Sequence, residues 1–436
     1  MTRENGSRQQ TVRRHNRALV LRAVLNEGVR SRTELAERLG LTRMALSNLA
    51  GELLADGILV ETESAPSRAG AGRRSVGLAL SPDAPLVCGA LIRRGELRTV
   101  LCDLAGTPLL REDFRFSGLI PPDEARRVLR GQYERLARDC GRPILAVGVA
   151  AAGPLNVPAG TAAPDGLFDR PEVFDAASFY AGISGRPVFL CNDATAGALG
   201  EHLFGAGRGE DNFVYISTLN GIGAGLFLDG RLYNAGIGQN GELGHMSIQF
   251  DGPRCACGGR GCLELYADPG RILASNPDYA ARYPRHPFFG GETPSFPELH
   301  RYAGRGDPLA CEVLREYCRY LAFAVRNLGA QLSVGLVVLA GAPDAGGRVF
   351  ERTLREQLGR EQSAICPPLR VTESPFGMDA PLYGSAGIVI ERVFEGLIDP
   401  VPARSGAKPP GRGSAAPDVR RPAAGGAFQS ERNEKA

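Results

Sequence analysis

One histidine and three cysteines lie close together in the stretch HMSIQFDGPRCACGGRGC: His245, Cys255, Cys257 and Cys262. One imidazole and three thiolates make a complete tetrahedral Cys3His donor set for zinc. Glycines at 258, 259 and 261 let a tight loop fold several ligands around one ion. No coordination position is left open, so such a zinc is structural rather than a Lewis acid. The competing reading is a partial disulfide or three free thiols. The polar start, MTRENGSRQQTVRRH, holds no apolar signal segment, which speaks against a disulfide and for a cytoplasmic chain. The other cysteines (88, 102, 140, 191, 311, 318 and 366) are scattered singly and read as small buried apolar residues.

Around this loop stand polar residues that a sugar could use. Asn192-Asp193 end the apolar run VFLC and begin a helix, which puts a carboxylate at a strand's C-terminal edge, where α/β folds bind ligands. Glu242 lies three residues before His245, and Glu264 two residues after Cys262. A zinc loop would pin two carboxylates and an imidazole near one another. Fixed acceptors and a donor of this kind suit vicinal hydroxyls. Singly, each residue is ordinary, as a helix cap or a solvated acid. The Gly-rich run Asn220 to Gly225 between two strands either cradles a phosphate through backbone amides or makes a tight hairpin.

A third set belongs to the first 80 residues. His15 to Glu27 reads as a helix with Leu19, Val20, Ala23 and Val24 on one face. Ser31 or Thr33 caps a second helix with Leu35, Ala36 and Leu39 inward, ended by Gly40. A third runs from Thr42 to about Asp56, with Ala45, Leu46, Leu49, Leu53 and Leu54 inward. Ile58–Glu61 and Ser75–Leu80 follow as two strands, joined by a basic, Gly-rich span. Three helices and a hairpin make a winged helix-turn-helix, whose third helix enters the DNA major groove. Thr42, Arg43, Ser47 and Asn48 face outward there. Arg43 and Asn48 have the chemistry to read base edges, and Arg73 and Arg74 at the wing tip suit a minor groove or phosphates. The chain carries a net +3, with +5 on residues 1–80, −6 on 81–400 and +4 on 401–436. A basic head on an acidic body means that the head alone meets a polyanion.

At 436 residues the chain is long enough for two to four domains. Its 43% hydrophobic and 23% charged residues exclude a disordered protein, and no apolar run approaches the roughly 18 residues of a membrane span. The expected domains are a DNA-binding head over 1–81, a short linker (SPDAP), an α/β body over 86–398, and a disordered Ala/Gly/Pro-rich tail over 401–436. In the body, strands are expected at 86–91, 97–103, 144–150, 188–191, 213–217, 224–228 and 335–339. Helices are expected at 123–138, 194–204, 312–328 and 385–394. The zinc loop spans 245–262.

Together these residues resemble the ROK family of bacterial sugar kinases and sugar-responsive repressors. The likeness rests on GVAAAGPLN (148–156), NDATAGALGEHLFGAGRG (192–209), LNGIGAGLFLDGRL (219–232), GELGHMSI (241–248) and CACGGRGCLE (255–264). It implies a two-lobed actin/hexokinase-like body. It also implies sugar contacts at Asn192, Asp193, Glu242, His245 and Glu264, and zinc on His245, Cys255, Cys257 and Cys262. In the kinases the residue matching Asp193 is the base that deprotonates the sugar hydroxyl. One departure favours the repressor branch. The kinases' DxGGT-type phosphate turn falls here on Leu91-Ile92-Arg93-Arg94-Gly95, the Thr of the second phosphate hairpin is Asn220, and the nucleotide stretch reads Leu339-Ala340-Gly341-Ala342. The resemblance therefore implies a homodimeric repressor on a palindromic operator, released by a sugar or sugar phosphate, with no enzymatic activity. A kinase carrying a DNA-binding head is the alternative.

Overall fold

The structure, a computed structural model, describes residues 2–27, 30–63, 76–164, 166–219, 221–233, 241–291, 293–341, 348–360 and 368–401, with backbone alone for 2–11, 26, 27 and 30. The wing tip with Arg73 and Arg74, Asn220, Ala342, Cys366 and the tail beyond Val401 lie outside the described residues.

The head begins with α1 (Thr2–Glu27), longer than the helix expected from His15. After β1 (Arg30–Ser31) come α2 (Arg32–Leu39) and α3 (Arg43–Ala55), then β2 (Leu59–Glu63) and β3 (Val76–Leu80). Ser31, not Thr33, caps α2: its hydroxyl accepts from Glu34 N–H while the Glu34 carboxylate accepts from Ser31 N–H. This reciprocal capping satisfies two donors that a helix start otherwise leaves open. Gly40 ends α2 in the left-handed conformation, and Thr42 caps α3 by accepting from Ala45 N–H at 3.1 Å. The strands form an antiparallel sheet in the order β1-β3-β2. The expected winged helix-turn-helix layout is present, with β1 as an added third strand.

The body has two lobes. The first holds β4 (Leu86–Arg93), β5 (Glu96–Cys102), β6 (Pro108–Arg115), α4 (Pro122–Cys140) and β7 (Ile144–Ala151). Three short strands follow, β8 (Leu155–Asn156), β9 (Thr161–Ala162) and β10 (Phe174–Asp175), then α5 (Ala176–Ser184), β11 (Val188–Asn192) and α6 (Asp193–Phe204). The second lobe holds β12 (Phe213–Ser217), β13 (Gly223–Leu228), β14 (Arg231–Leu232), α7 (Pro269–Ser275), α8 (Pro277–Arg282), α9 (Phe296–Gly304) and α10 (Pro308–Leu332). It closes with β15 (Leu336–Leu339), α11 (Val349–Arg360), β16 (Arg370–Glu373) and α12 (Ala380–Phe394).

The two five-stranded sheets run β11-β7-β4-β5-β6 and β14-β13-β12-β15-β16. Counted from each lobe's first strand, the order is the same. In both, the first, third, fourth and fifth strands point the same way and only the second runs against them. This is one unit used twice, the topology of an actin-like fold. The helices that close the two units, α6 and α12, lie side by side, their backbones meeting at Ala196, Gly200, Ala380 and Gly384.

The join between head and body is packed. SPDAP is not a loose linker. Ser81 and Ala84 are buried, Ser81 N–H donates to the Ile58 carbonyl, and the Ala84 carbonyl accepts from the Arg142 guanidinium. Nor does the head have a core of its own: Val20, Leu21, Leu49, Leu53 and Leu78 belong to one apolar cluster with Val87, Leu104, Ile388, Val393 and Phe394 of the body. The Arg22 guanidinium stands 6.0 Å over the Phe394 ring, and Arg14 donates to the Leu397 carbonyl at 3.1 Å.

Candidate functional site

Strand register brings the first-lobe residues to one edge. Ile92 of β4 pairs with Ala151 of β7, and Ala151 with Asn192 of β11. Arg93 and Asp193 are each one residue further along, at the C-terminal edge of the parallel strands. Asn192 is 9% exposed, and its Oδ1 caps α6, accepting from Ala194 and Thr195 N–H at 2.9 and 3.2 Å. That oxygen is committed to the helix, so the amide NH2 is what Asn192 has left for a ligand. Asp193 Oδ1 accepts from Ala194 N–H at 2.9 Å. Burial raises the Asp193 pKa, and the Arg93 cation opposes that rise.

Arg93, which stands where the kinases have their phosphate turn, is buried, 2% exposed. Its guanidinium pairs with Glu96 and donates to the Met378 carbonyl at 3.0 Å. Arg98, which sequence reasoning overlooked, is also buried. It meets Asp379 at 2.6 Å, Asp113 at 2.8 Å and Glu96 at 3.6 Å, and Arg111 closes the network onto Asp113 and Asp379. The network ties β4–β6 to the residues that lead into α12. The only sequence signal was the alternation Arg93, Glu96, Arg98, which reads as a solvated hairpin until a carboxylate 281 residues away is placed beside it.

The second lobe supplies the loop. Cys257 Sγ and Cys262 Sγ are 3.6 Å apart, and Cys255 Sγ and His245 Nδ1 are 3.7 Å apart. All four donor atoms lie within 4.8 Å of one another. Two sulfurs each about 2.3 Å from one tetrahedral ion would stand about 3.8 Å apart, so the donors fit zinc. Gly259 N–H donates to Cys257 Sγ and lowers its pKa, favouring the thiolate that binds metal. Gly261 has φ +62°, and a Cβ there would stand 1.7 Å from the Gln249 carbonyl oxygen, so only glycine lets the loop close.

Glu264 comes within 4.0 Å of His245. A side chain on Gly221 would strike Glu264 Oε1, so this glycine in the β12–β13 turn makes room for a carboxylate. Glu242 is exposed. Its pKa is raised by partial burial and by the charges of Asp193 and Glu264, against His245. The five polar residues singled out from the sequence thus come from β11, α6 and the loop, and Glu242 feels the charges of His245, Asp193 and Glu264. Gly341, in the expected nucleotide stretch, lies against the carboxylate of Glu373. Among the scattered cysteines Cys88, Cys102, Cys191 and Cys318 are buried, and Cys140 and Cys311 partly so.

On the head, Thr42, Arg43, Ser47 and Asn48 are exposed, while Leu46, Leu49, Ala50 and Leu53 of α3 are buried. Arg13 holds Glu52, and Arg17 holds Asp56 at 2.6 Å. These pairs fix the back of α3 to α1. Met44, not singled out from the sequence, is exposed beside Arg43.

The ROK family model matches residues 97–392. The chain belongs to the ROK family. The xylose repressor of Bacillus subtilis is 27% identical over 400 residues, covering 89% of this chain and 98% of the repressor. The crystal structure of a ROK family transcriptional regulator, a homologue of the E. coli MLC protein, superposes with a TM-score of 0.72 at 26% identity, covering 89% of this chain and 98% of that one. The glucokinase of Thermotoga maritima is 33% identical over 217 residues, 48% of this chain and 68% of the enzyme. The likeness to these two regulators covers 89% of the chain, whereas the glucokinase matches about half of it. No helix among the described residues is long and apolar enough to cross a membrane.

Proposed function

We propose that this ROK chain is a sugar-responsive transcriptional repressor. Its head binds a palindromic operator as part of a homodimer. Its body binds a sugar or sugar phosphate through Asn192, Asp193, Glu242, His245 and Glu264, and does not phosphorylate it. The observation that carries this reading is Arg93, locked between Glu96 and the Met378 carbonyl where a phosphate-binding turn is needed. Phosphoryl transfer depends almost wholly on positioning the phosphates and stabilising their charge. Asp193 then serves as an acceptor for a sugar hydroxyl and not as a base. A structural zinc on His245, Cys255, Cys257 and Cys262 holds the loop that presents Glu242 and Glu264. Sugar moves the head only by binding more tightly to the form that releases DNA. Thr42, Arg43, Ser47 and Asn48 are the groove-facing contacts, and Arg73 and Arg74 the wing contacts.

The test measures operator binding against concentrations of xylose and glucose, the sugars named by the relatives. Asp193→Ala is expected to need roughly 10–100 times more sugar for release, because it loses a hydrogen bond to a charged acceptor. Its operator affinity without sugar should match the parent. Asp193→Asn should lie between the two. Burial raises the Asp193 pKa, so its acceptor is protonated at a higher pH than an ordinary carboxylate. Sugar affinity of the parent should accordingly fall as pH drops through that raised value, and the fall should be absent in Asp193→Asn. ATP-dependent sugar phosphate formation by the parent, abolished in Asp193→Asn, would sink the repressor-only reading in favour of the kinase.

The head has its own test. Arg43→Ala should cost about 1–3 kcal/mol and relax specificity at particular operator positions. Arg73→Ala with Arg74→Ala should weaken binding to all sequences and flatten its salt dependence. Unchanged operator affinity in both variants would refute the assignment of α3 and the wing to DNA.

A further inference from the structure

The outward stripe of α3 contains a side chain that neither phosphate contact nor hydrogen-bonded base reading accounts for. Met44 is 76% exposed in the first turn of α3, while the leucines of that helix are turned inward. Arg43, Met44, Ser47, Asn48 and Gly51 are all exposed, and their spacing puts them on one face of the helix. The face is free of carboxylates, because Glu52 and the capping Asp56 are drawn back onto Arg13 and Arg17. Gly51 adds a second feature. A glycine inside a helix costs about 1 kcal/mol relative to alanine, yet nothing lies within 4 Å of where its Cβ would stand. Packing inside the protein therefore does not require it. It leaves the helix bare on the side that faces away from the core.

Such a face is suited to close approach by a surface that offers acceptors, donors and one apolar feature. In the DNA major groove that apolar feature is the C5-methyl group of thymine. We propose that Met44 is a specificity residue that packs its thioether side chain on a thymine methyl, beside the base edges read by Arg43 and Asn48. This rests on the DNA-binding reading of the head. Methionine is unbranched and polarisable, and suits a contact with a single methyl group in a wet groove. The Thr42 cap and the two arginine pairs behind α3 hold the helix so that Met44 meets a fixed position in each half-site.

The experiment uses the full chain and duplexes that the chain itself enriches from random-sequence DNA. Each thymine of the enriched site is replaced in turn by deoxyuridine, which removes only the methyl group. The parent should lose about fourfold in affinity at one position per half-site, the worth of one buried methyl. Met44→Gln should bind the thymine and deoxyuridine duplexes equally at that position, and Met44→Leu should restore the discrimination. Thermal midpoints of both variants should equal that of the parent, because the side chain is exposed. A parent that tolerates every replacement, or a Met44→Gln variant that loses as much as the parent at the same position, overturns the inference and leaves DNA binding standing. A parent that enriches no sequence overturns both.

Discussion

Cys262→Ser is expected to reduce bound zinc from about one per chain to near zero, and to cost sugar affinity as well. Of the four donors, Cys262 is the buried one, 1% exposed. Its neighbours bind the loop to the body: Leu263 is fully buried and its N–H donates to the Met246 carbonyl at 2.8 Å. Ile248 N–H reaches back to the Gly261 carbonyl at 2.8 Å. Structural zinc binds small peptides with roughly 10–16 kcal/mol, and that free energy is also their folding free energy. Here the rest of the body folds around its own cores, so the loss should fall on the loop. Metal content, protease sensitivity near residues 249–260 and sugar affinity measured on one preparation check this. Zinc-free protein with the parent's sugar affinity would separate loop from pocket and falsify the coupling.

The second large effect is expected at Arg98. Arg98→Met should destabilise the body by about 3–5 kcal/mol, the usual consequence of removing one partner from a buried ion network. Arg98 is 1% exposed and faces Glu96, Asp113 and Asp379, whose charges it would leave uncompensated. Urea unfolding of parent and variant measures the loss. The acid limb provides a second readout. Burial opposes ionisation of Asp379, but Arg98 and Arg111 outweigh it and hold the carboxyl below its ordinary value. A depressed carboxylate contributes stability that is fully present above its unfolded pKa and is lost as pH falls through the folded one. The parent should therefore lose stability on acidification below the ordinary carboxylate range, and Arg98→Met should lose less there. Equal stability of the two proteins at neutral pH would refute the network's role.

Local chemistry made much of this legible in the sequence. The Cys3His set could be read because its donors lie within 18 residues and glycine spacing marks the loop. The head could be read because caps, breakers and leucine spacing all act within one or two turns. Asn192 and Asp193 were legible as a strand end followed by a helix start. What escaped notice depends on distance. The duplication of the two lobes lies in strand order and leaves no repeated sequence. Strand β6, absent from the expected strands, is an edge strand exposed on alternate residues and rich in charge. Arg98 and Asp379 are almost 300 residues apart, and no local pattern links them. Gly221 reads as part of a phosphate cradle or a tight hairpin, and only the position of Glu264 adds the task of making room for a carboxylate.

The single apolar cluster shared by head and body bears on how this chain can be taken apart or rebuilt. The sequence invites a cut at 81–85, as though the DNA-binding module were a cassette. A cut there would leave Val20, Leu21 and Leu53 on one fragment and Ile388, Val393 and Phe394 on the other, each with a wet half-core. Chimaeras that trade operator specificity between ROK regulators should therefore carry the last turns of α12 along with residues 1–85, or redesign both sides of the seam. Substitutions that alter operator choice at the front of α3 are free of this constraint. Those at its back are held by Arg13 and Arg17 of α1, the helix that also meets Phe394 and Leu397, so the two faces of one helix should diverge at different rates.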